Sequence, residues 1–298
     1  MKKLKKCGTL EVNMMEATPF VFKGKFYRME YIHAHYHGNR TGASYFRCIE
    51  VETGITLPPF GMGYGMGNMF IYNDRAYLTC VKGGCEPAPE LQKNDTFYLM
   101  ESDDLLHWSE PRPILHDPSW NGFNTSICRT DDKFVMVFEL MTEVPFTMFF
   151  AESTDLEHWN IIDGACFGRD FYTGGPMLRW HGGYYYLFYL HKFDGEFRFE
   201  TWVVRSRDLR NWEYAPGNPV LTSGPEDHVC APGVKFSHYI MGTRLTYANN
   251  INNSDIDMCE WKDKLYITYS WGNQFYKDNM AYAEFDGPER EFCESFWM

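Results

Sequence analysis

Apolar and polar residues alternate along this chain in short bursts, and no stretch sustains the 3.6-residue period of an amphipathic helix. The bursts come in pairs around a small or charged turn: TPFVFKGKFYRMEY, NMFIYNDRAYLTCV, SICRTDDKFVMVFE, PMLRWHGGYYYLFY and DMCEWKDKLYITYS. Each pair predicts a β-hairpin, with turns at Gly24, Asp74, Asp132, Gly182 and Asp263. A third strand-like run follows each hairpin: SYFRCIE, TFYLME, TMFFAE, TWVVR and NMAYAEF. Three of these lead into one pattern, S-x-D-L-x-x-W, as SDDLLHW (102–108), STDLEHW (153–159) and SRDLRNW (206–212).

A period of roughly 50 residues with about four strands per unit is a propeller signature. The expected fold is therefore all-β: a five-bladed β-propeller with four antiparallel strands per blade, spanning 1–298 as a single domain. The last unit lacks S-x-D-L-x-x-W, so TLEVN (9–13) is expected to supply its outer strand and close the ring. Within the motif Asp can cap the turn, Ser can bond the local backbone, and Leu and Trp can pack between blades. The motif reads as scaffold.

Composition narrows the function. The chain has 298 residues and a net charge of −12, and no Lys/Arg cluster lies beyond its first six residues. An acidic protein without a basic stripe is a poor nucleic-acid binder. No run of about 18 apolar residues is present, so no membrane helix is expected. MKKLKKCGTLEV has no apolar segment behind its lysines and does not read as a secretory leader. Nine cysteines without paired spacing suit free thiols in a reducing cytoplasm, and neither a metal nor another cofactor is expected. Nothing in the sequence speaks for or against a homo-oligomer. An aromatic content of 18% exceeds ordinary core needs and leaves enough for a cleft that takes a neutral ligand.

The hairpin turns set a register. Eight residues before them stand Glu16, Met66, Asn124, Gly174 and Asp255, and six before stand Thr18, Asn68, Ser126, Pro176 and Asp257. These positions open the innermost strands and should crowd one mouth of the channel. The antiparallel second strands return His33, His35, Lys82, Glu139, His191 and Trp271 to the same face. NNINNSDIDM (249–258) and WGNQ (271–274) thus bracket one mouth, where a ligand would be held. His33, His35 and His37 alternate on one strand face and read as hydroxyl donors in preference to metal ligands.

The repeated S-x-D-L-x-x-W on five such units resembles the five-bladed β-propeller glycoside hydrolases, the group that includes families 43, 32, 117 and 130. The resemblance runs from about Glu16 to Asp286. It implies an enzyme acting on an oligosaccharide, with acids from the inner strands at one channel mouth. Family 43 would place Asp, Asp and Glu at the inner-strand starts of the first three blades. This chain departs from that pattern with Glu16, Asn68 and Asn124, and with Gly174-Gly175-Pro176 in the fourth. A closer likeness is to family 117, whose general acid is a histidine on a late loop. It implies His228 of GPEDHVCAPG (224–233) as acid, with Asp170 of GRDFYTGGP as an acidic partner.

Glu16, His228, Asp255 and Asp170 are accordingly the catalytic candidates, with Glu16 as the base. Asn68, Asn124, Glu226, Asp257, Gln274 and His35 are candidate sugar ligands, and Trp271 a candidate stacking platform. The expected activity is inverting, exo-acting hydrolysis of short oligosaccharides. Two alternatives stand beside it: a phosphorylase of similar fold, using Arg129, Arg179 or Lys82 for phosphate, and a catalytically silent propeller that binds a glycan or a protein.

Overall fold

The computed structural model describes residues 4–83, 94–274 and 278–298. After β1 (Lys5–Val12), the first sheet holds β2 (Ala17–Phe22), β3 (Lys25–Ile32), β4 (Tyr45–Glu50) and β5 (Ile55–Thr56). The second holds β6 (Tyr64–Tyr72), β7 (Arg75–Lys82), β8 (Thr96–Ser102) and β9 (Arg112–His116). The third holds β10 (Gly122–Arg129), β11 (Phe134–Leu140), β12 (Thr147–Ser153) and β13 (Asn160–Phe167). The remaining strands form an eight-stranded sheet. It comprises β14 (Met177–His181), β15 (Tyr184–Lys192), β16 (Phe199–Ser206) and β17 (Glu213–Tyr214), then β18 (Asn252–Trp261), β19 (Lys264–Gly272) and β20 (Asp278–Phe285), with β1 at its edge.

The eight-stranded sheet is two antiparallel units touching at one parallel bridge, Phe199 to Asn252. β1 lies antiparallel to β20, with Lys5 opposite Glu284 and Val12 opposite Asn279. The N-terminal segment thus supplies the outer strand of the last unit, over a longer span than TLEVN. The first strands of the units pack in succession: β2 on β6, β6 on β10, β10 on β14, β14 on β18, and β18 on β2. Their N-terminal ends therefore meet around one axis.

The S-x-D-L-x-x-W turns are built alike. Ser102, Ser153 and Ser206 each accept the N–H of the motif leucine at 2.9 Å. Asp104, Asp155 and Asp208 each cap two further N–H groups. Leu105, Leu156 and Leu209 sit at φ of 64°, 65° and 60°, a left-handed conformation that costs a β-carbon residue about 1–2 kcal/mol. Burial of all three side chains offsets that cost. Trp108 and Trp159 return their indole N–H to the motif leucine carbonyl, whereas Trp212 donates to Cys166 O of the preceding unit at 3.0 Å. Two tryptophans are equivalent in this bond, and the third differs.

The connector before β18 holds no strand pair. It makes a 3₁₀ turn at Pro225–His228 and helical turns at His238–Ile240 and Met241–Thr246. It is pinned to β1 by Thr9 N–H to Val229 O at 2.8 Å and Ala231 N–H to Thr9 O at 2.9 Å. Gly8 allows this approach, since a β-carbon there would come within 2.8 Å of Val229 O. Beneath it, the fully buried Asp227 accepts Lys6 Nζ at 2.8 Å and the Tyr269 hydroxyl at 2.7 Å. The cysteines among the described residues are free thiols.

Candidate active site

Three inner strands begin with a register shift: between Gly65 and Asn68, between Gly122 and Thr125, and between Ser254 and Asp257. Bulges kink a strand and re-aim its side chains. Met66 and Asp255, at matching positions eight before their turns, take φ of 52° and 49°. At Asp255 this strained, bulged backbone carries a carboxylate that lines the mouth. The strand ends surround a cavity of about 40 Å³ lined by Glu16, Thr18, Asn68, Asn124, Thr125, Gly175, Pro176, Asp255 and Asp257, among others.

Carboxyl groups dominate its electrostatics. Glu139, near the end of β11, is completely buried. Its Oε2 accepts the Asn124 N–H at 3.3 Å, while Oε1 has no partner. Burial, with added repulsion from Asp255, pushes its pKa up to about 8. Glu16 is half-buried as a residue, but its Oε2 is sealed from water without a partner. Burial first, then repulsion from Asp255 and Glu139, holds its pKa well above the usual carboxyl range.

Burial also raises Asp255, but here hydroxyls oppose the shift. Ser254 Oγ donates to Asp255 Oδ2 at 2.5 Å, and Ser270, buried with no other partner, pulls the same way. Like charges so close cannot all ionise, and the group with hydroxyl donors ionises first. At neutral pH the arrangement favours a carboxylate at Asp255 and protonated carboxyls at Glu16 and Glu139. Asp278 stands behind them, raised to about 7 by burial and by the proximity of Asp255.

Asp257 faces a different task. Its Oδ2 accepts Asn68 Nδ2 at 2.8 Å and its Oδ1 accepts Arg179 Nη2 at 2.5 Å. Arg179 continues to Glu289 Oε2 at 3.1 Å, and Glu289 Oε1 meets His181 Nε2 at 2.8 Å. This chain of charges crosses the channel below the mouth and forms its floor.

Of the residues expected at the site, the cavity brings together Glu16, Asn68, Asn124, Asp255 and Asp257. Asn68 and Asp257 are occupied with each other. The other candidates lie elsewhere. Trp271 is no stacking platform: it is completely buried, and its indole N–H donates to Thr9 Oγ1 at 2.8 Å. The connector at 225–246 packs over the strand end that would otherwise open it. His228 belongs to the same packing, with its ring 4.8 Å from Trp271 and Nδ1 at 2.7 Å from the Leu245 carbonyl oxygen. Asp170, Glu226 and His35 are exposed and outside the cavity lining, and Gln274 caps Asp278 through its backbone N–H.

Tyr172 and Asp278 were not among the residues expected at the site, and Glu139 was placed on the mouth face without a role. The neighbouring Glu139 and Asp255 carboxyls, after burial, raise the Tyr172 hydroxyl, which places this half-buried ring beside the acids. A signal for Glu139 was present: it is the one acid in the otherwise apolar strand FVMVFEL.

Solved structures share this architecture. A glycoside hydrolase aligns with a TM-score of 0.62 and 15% identity over 96% of this chain and 92% of its own. A thermostable family-43 glycoside hydrolase aligns with a TM-score of 0.62 and 11% identity over 95% of each chain. The Bombyx mori family-32 β-fructofuranosidase aligns with a TM-score of 0.60 and 12% identity over 97% of this chain and 65% of its own. The fold is thus the all-β fold of the family-43 and family-32 glycoside hydrolases, built of four-stranded antiparallel sheets. No protein-family model and no curated protein sequence matches the chain.

Proposed function

We propose that this protein is a five-bladed propeller glycoside hydrolase whose active site is the mouth cavity. One observation carries the proposal: Glu16, Glu139 and Asp255 come from separate units of a glycoside hydrolase fold and converge closely enough to repel one another. The succession of inner-strand contacts and the pairing of β1 with β20 support a ring of five blades closed by the N-terminal strand.

Hydrolysis of a glycoside needs one group to protonate the leaving oxygen and another to activate water. Asp255, held as carboxylate by Ser254, takes the proton from water as the water oxygen attacks the anomeric carbon. Glu16, held protonated, gives its proton to the departing oxygen as the C–O bond breaks. Sequence reasoning put the base at Glu16 and the acid at His228; the hydroxyls around Asp255 favour Asp255 as the base and leave Glu16 as the acid. Glu139 is a positioning residue that anchors the Asn124 backbone beside the cavity. Tyr172 replaces Trp271 as the sugar platform.

The mouth cavity is narrow, about 40 Å³, well below the roughly 300–1,000 Å³ of whole-ligand pockets, and suits the reacting end of a short oligosaccharide better than the middle of a polymer. Among the described residues no arginine or lysine lines it, and Arg179 is engaged by Asp257 and Glu289. Water is therefore the favoured acceptor over phosphate. A panel of aryl glycosides assayed with and without phosphate tests this. Phosphate-independent release that falls by about 10²–10⁴-fold in Asp255→Asn is expected. Turnover only with phosphate, or an undiminished Asp255→Asn variant, would reject the scheme.

A further inference from the structure

Below the Asp257–Arg179 floor the channel opens again toward the opposite face. There a second cavity, of about 340 Å³, is lined by Phe20, Phe70, Arg129, Arg179, Trp180 and Glu289, among others. Its charges do not balance. Arg179 is matched by Asp257 and Glu289, and Glu289 is shared with His181. Among the described residues Arg129 has no carboxylate partner, and its Nη1 is buried without a hydrogen bond. Its guanidinium carbon lies 4.8 Å from the centroid of the Phe134 ring.

A guanidinium offers a planar fork of donors, and an unmade buried bond to such a group costs more than one to a neutral group. Most of the remaining wall is apolar or aromatic, with the ion-paired Arg179, Glu289 and His181 along one side. We propose that this lower cavity is a binding site for a small organic oxyanion, a phosphate or carboxylate group carried on an apolar or aromatic body. The oxyanion engages Arg129, and the body packs against Phe20, Phe70 and Trp180. The site is separate from the mouth, since the Asn68–Asp257–Arg179 chain divides the two cavities. The inference stands whether or not the mouth hydrolyses glycosides.

Isothermal titration with phenyl phosphate, benzoate and inorganic phosphate tests it, on wild type, Arg129→Met, Arg129→Lys and Asp255→Asn. Wild type and Asp255→Asn should bind phenyl phosphate or benzoate alike. Arg129→Met should weaken that binding roughly tenfold or more, as expected for a lost charge-assisted bond, and Arg129→Lys should recover part of it. Comparison of the two aromatic ligands decides between phosphate and carboxylate, and inorganic phosphate reports how much the body contributes. Unliganded melting temperatures show that the variants are folded. Binding that is equal in wild type and a folded Arg129→Met, or no binding of any probe by wild type at millimolar concentration, would overturn the proposal.

Discussion

Glu139→Gln isolates the electrostatic cost of the site. In the folded protein Glu139 has a pKa of about 8, against an ordinary value of 4.5. A carboxyl raised on folding leaves stability intact below its unfolded pKa and removes it as pH rises toward the folded value. At 1.36 kcal/mol per pKa unit, wild type should lose about 3 kcal/mol between pH 5 and pH 8 through this group. Glutamine keeps the shape but does not titrate. Whatever it costs in packing is the same at both pH values. Equilibrium urea unfolding of both proteins at pH 5 and pH 8 gives the double difference. Glu139→Gln should gain about 3 kcal/mol relative to wild type over that interval. A gap between the two proteins that does not change with pH would refute the claim that Glu139 is held protonated.

Other consequences follow from the same geometry. Gly175 has φ of 56°, and a β-carbon there would lie 2.7 Å from Asp255 Oδ1. Gly175→Ala should therefore displace the carboxylate and lower kcat/KM by about 100-fold without loss of the circular dichroism of the folded state. Arg179→Met leaves Asp257 and Glu289 without their shared cation and should destabilise the protein by about 3–5 kcal/mol, measured by urea unfolding. Adding Asp257→Asn should recover part of that loss. Trp271→Phe removes the bond to Thr9 and should cost about 1 kcal/mol of stability with KM unchanged. Tyr172→Ala should raise KM.

The units were legible because each repeats a local signal: two alternating runs about a turn, then a capped S-x-D-L-x-x-W. The register was legible for the same reason, and it pointed to Glu16, Asn68, Asn124, Asp255 and Asp257 from turn positions alone. What it did not carry was the bulge. A regular strand sends residues two apart, such as Asp255 and Asp257, to one face. The extra residue between Ser254 and Asp257 instead leaves one acid in the mouth and the other in the floor. His228 and Asp170 were expected from the likeness to family 117, and Glu226 from its place beside His228 on the long 213–254 connector. The path of such a loop depends on contacts distant in sequence, here Thr9 with Val229 and Lys6 with Asp227. Those contacts turned His228 onto Trp271 and buried the ring that was expected to meet sugar. Glu139 was visible as a lone acid in an apolar strand, and on the register as a residue of the mouth face, but its role depends on Asn124 of β10 and Gly175 of the loop before β14.

The central claim is that Glu16 delivers a proton to a glycosidic oxygen while Asp255 activates water. The most direct measurement is kcat/KM for a series of aryl glycosides of graded leaving-group acidity, on wild type and Glu16→Gln. A missing general acid matters least when the leaving group needs no proton, so Glu16→Gln should approach wild type on the most acidic phenol. On the least acidic it should fall behind by about 10²–10⁴-fold. A Glu16→Gln variant that matches wild type across the whole series would contradict the account.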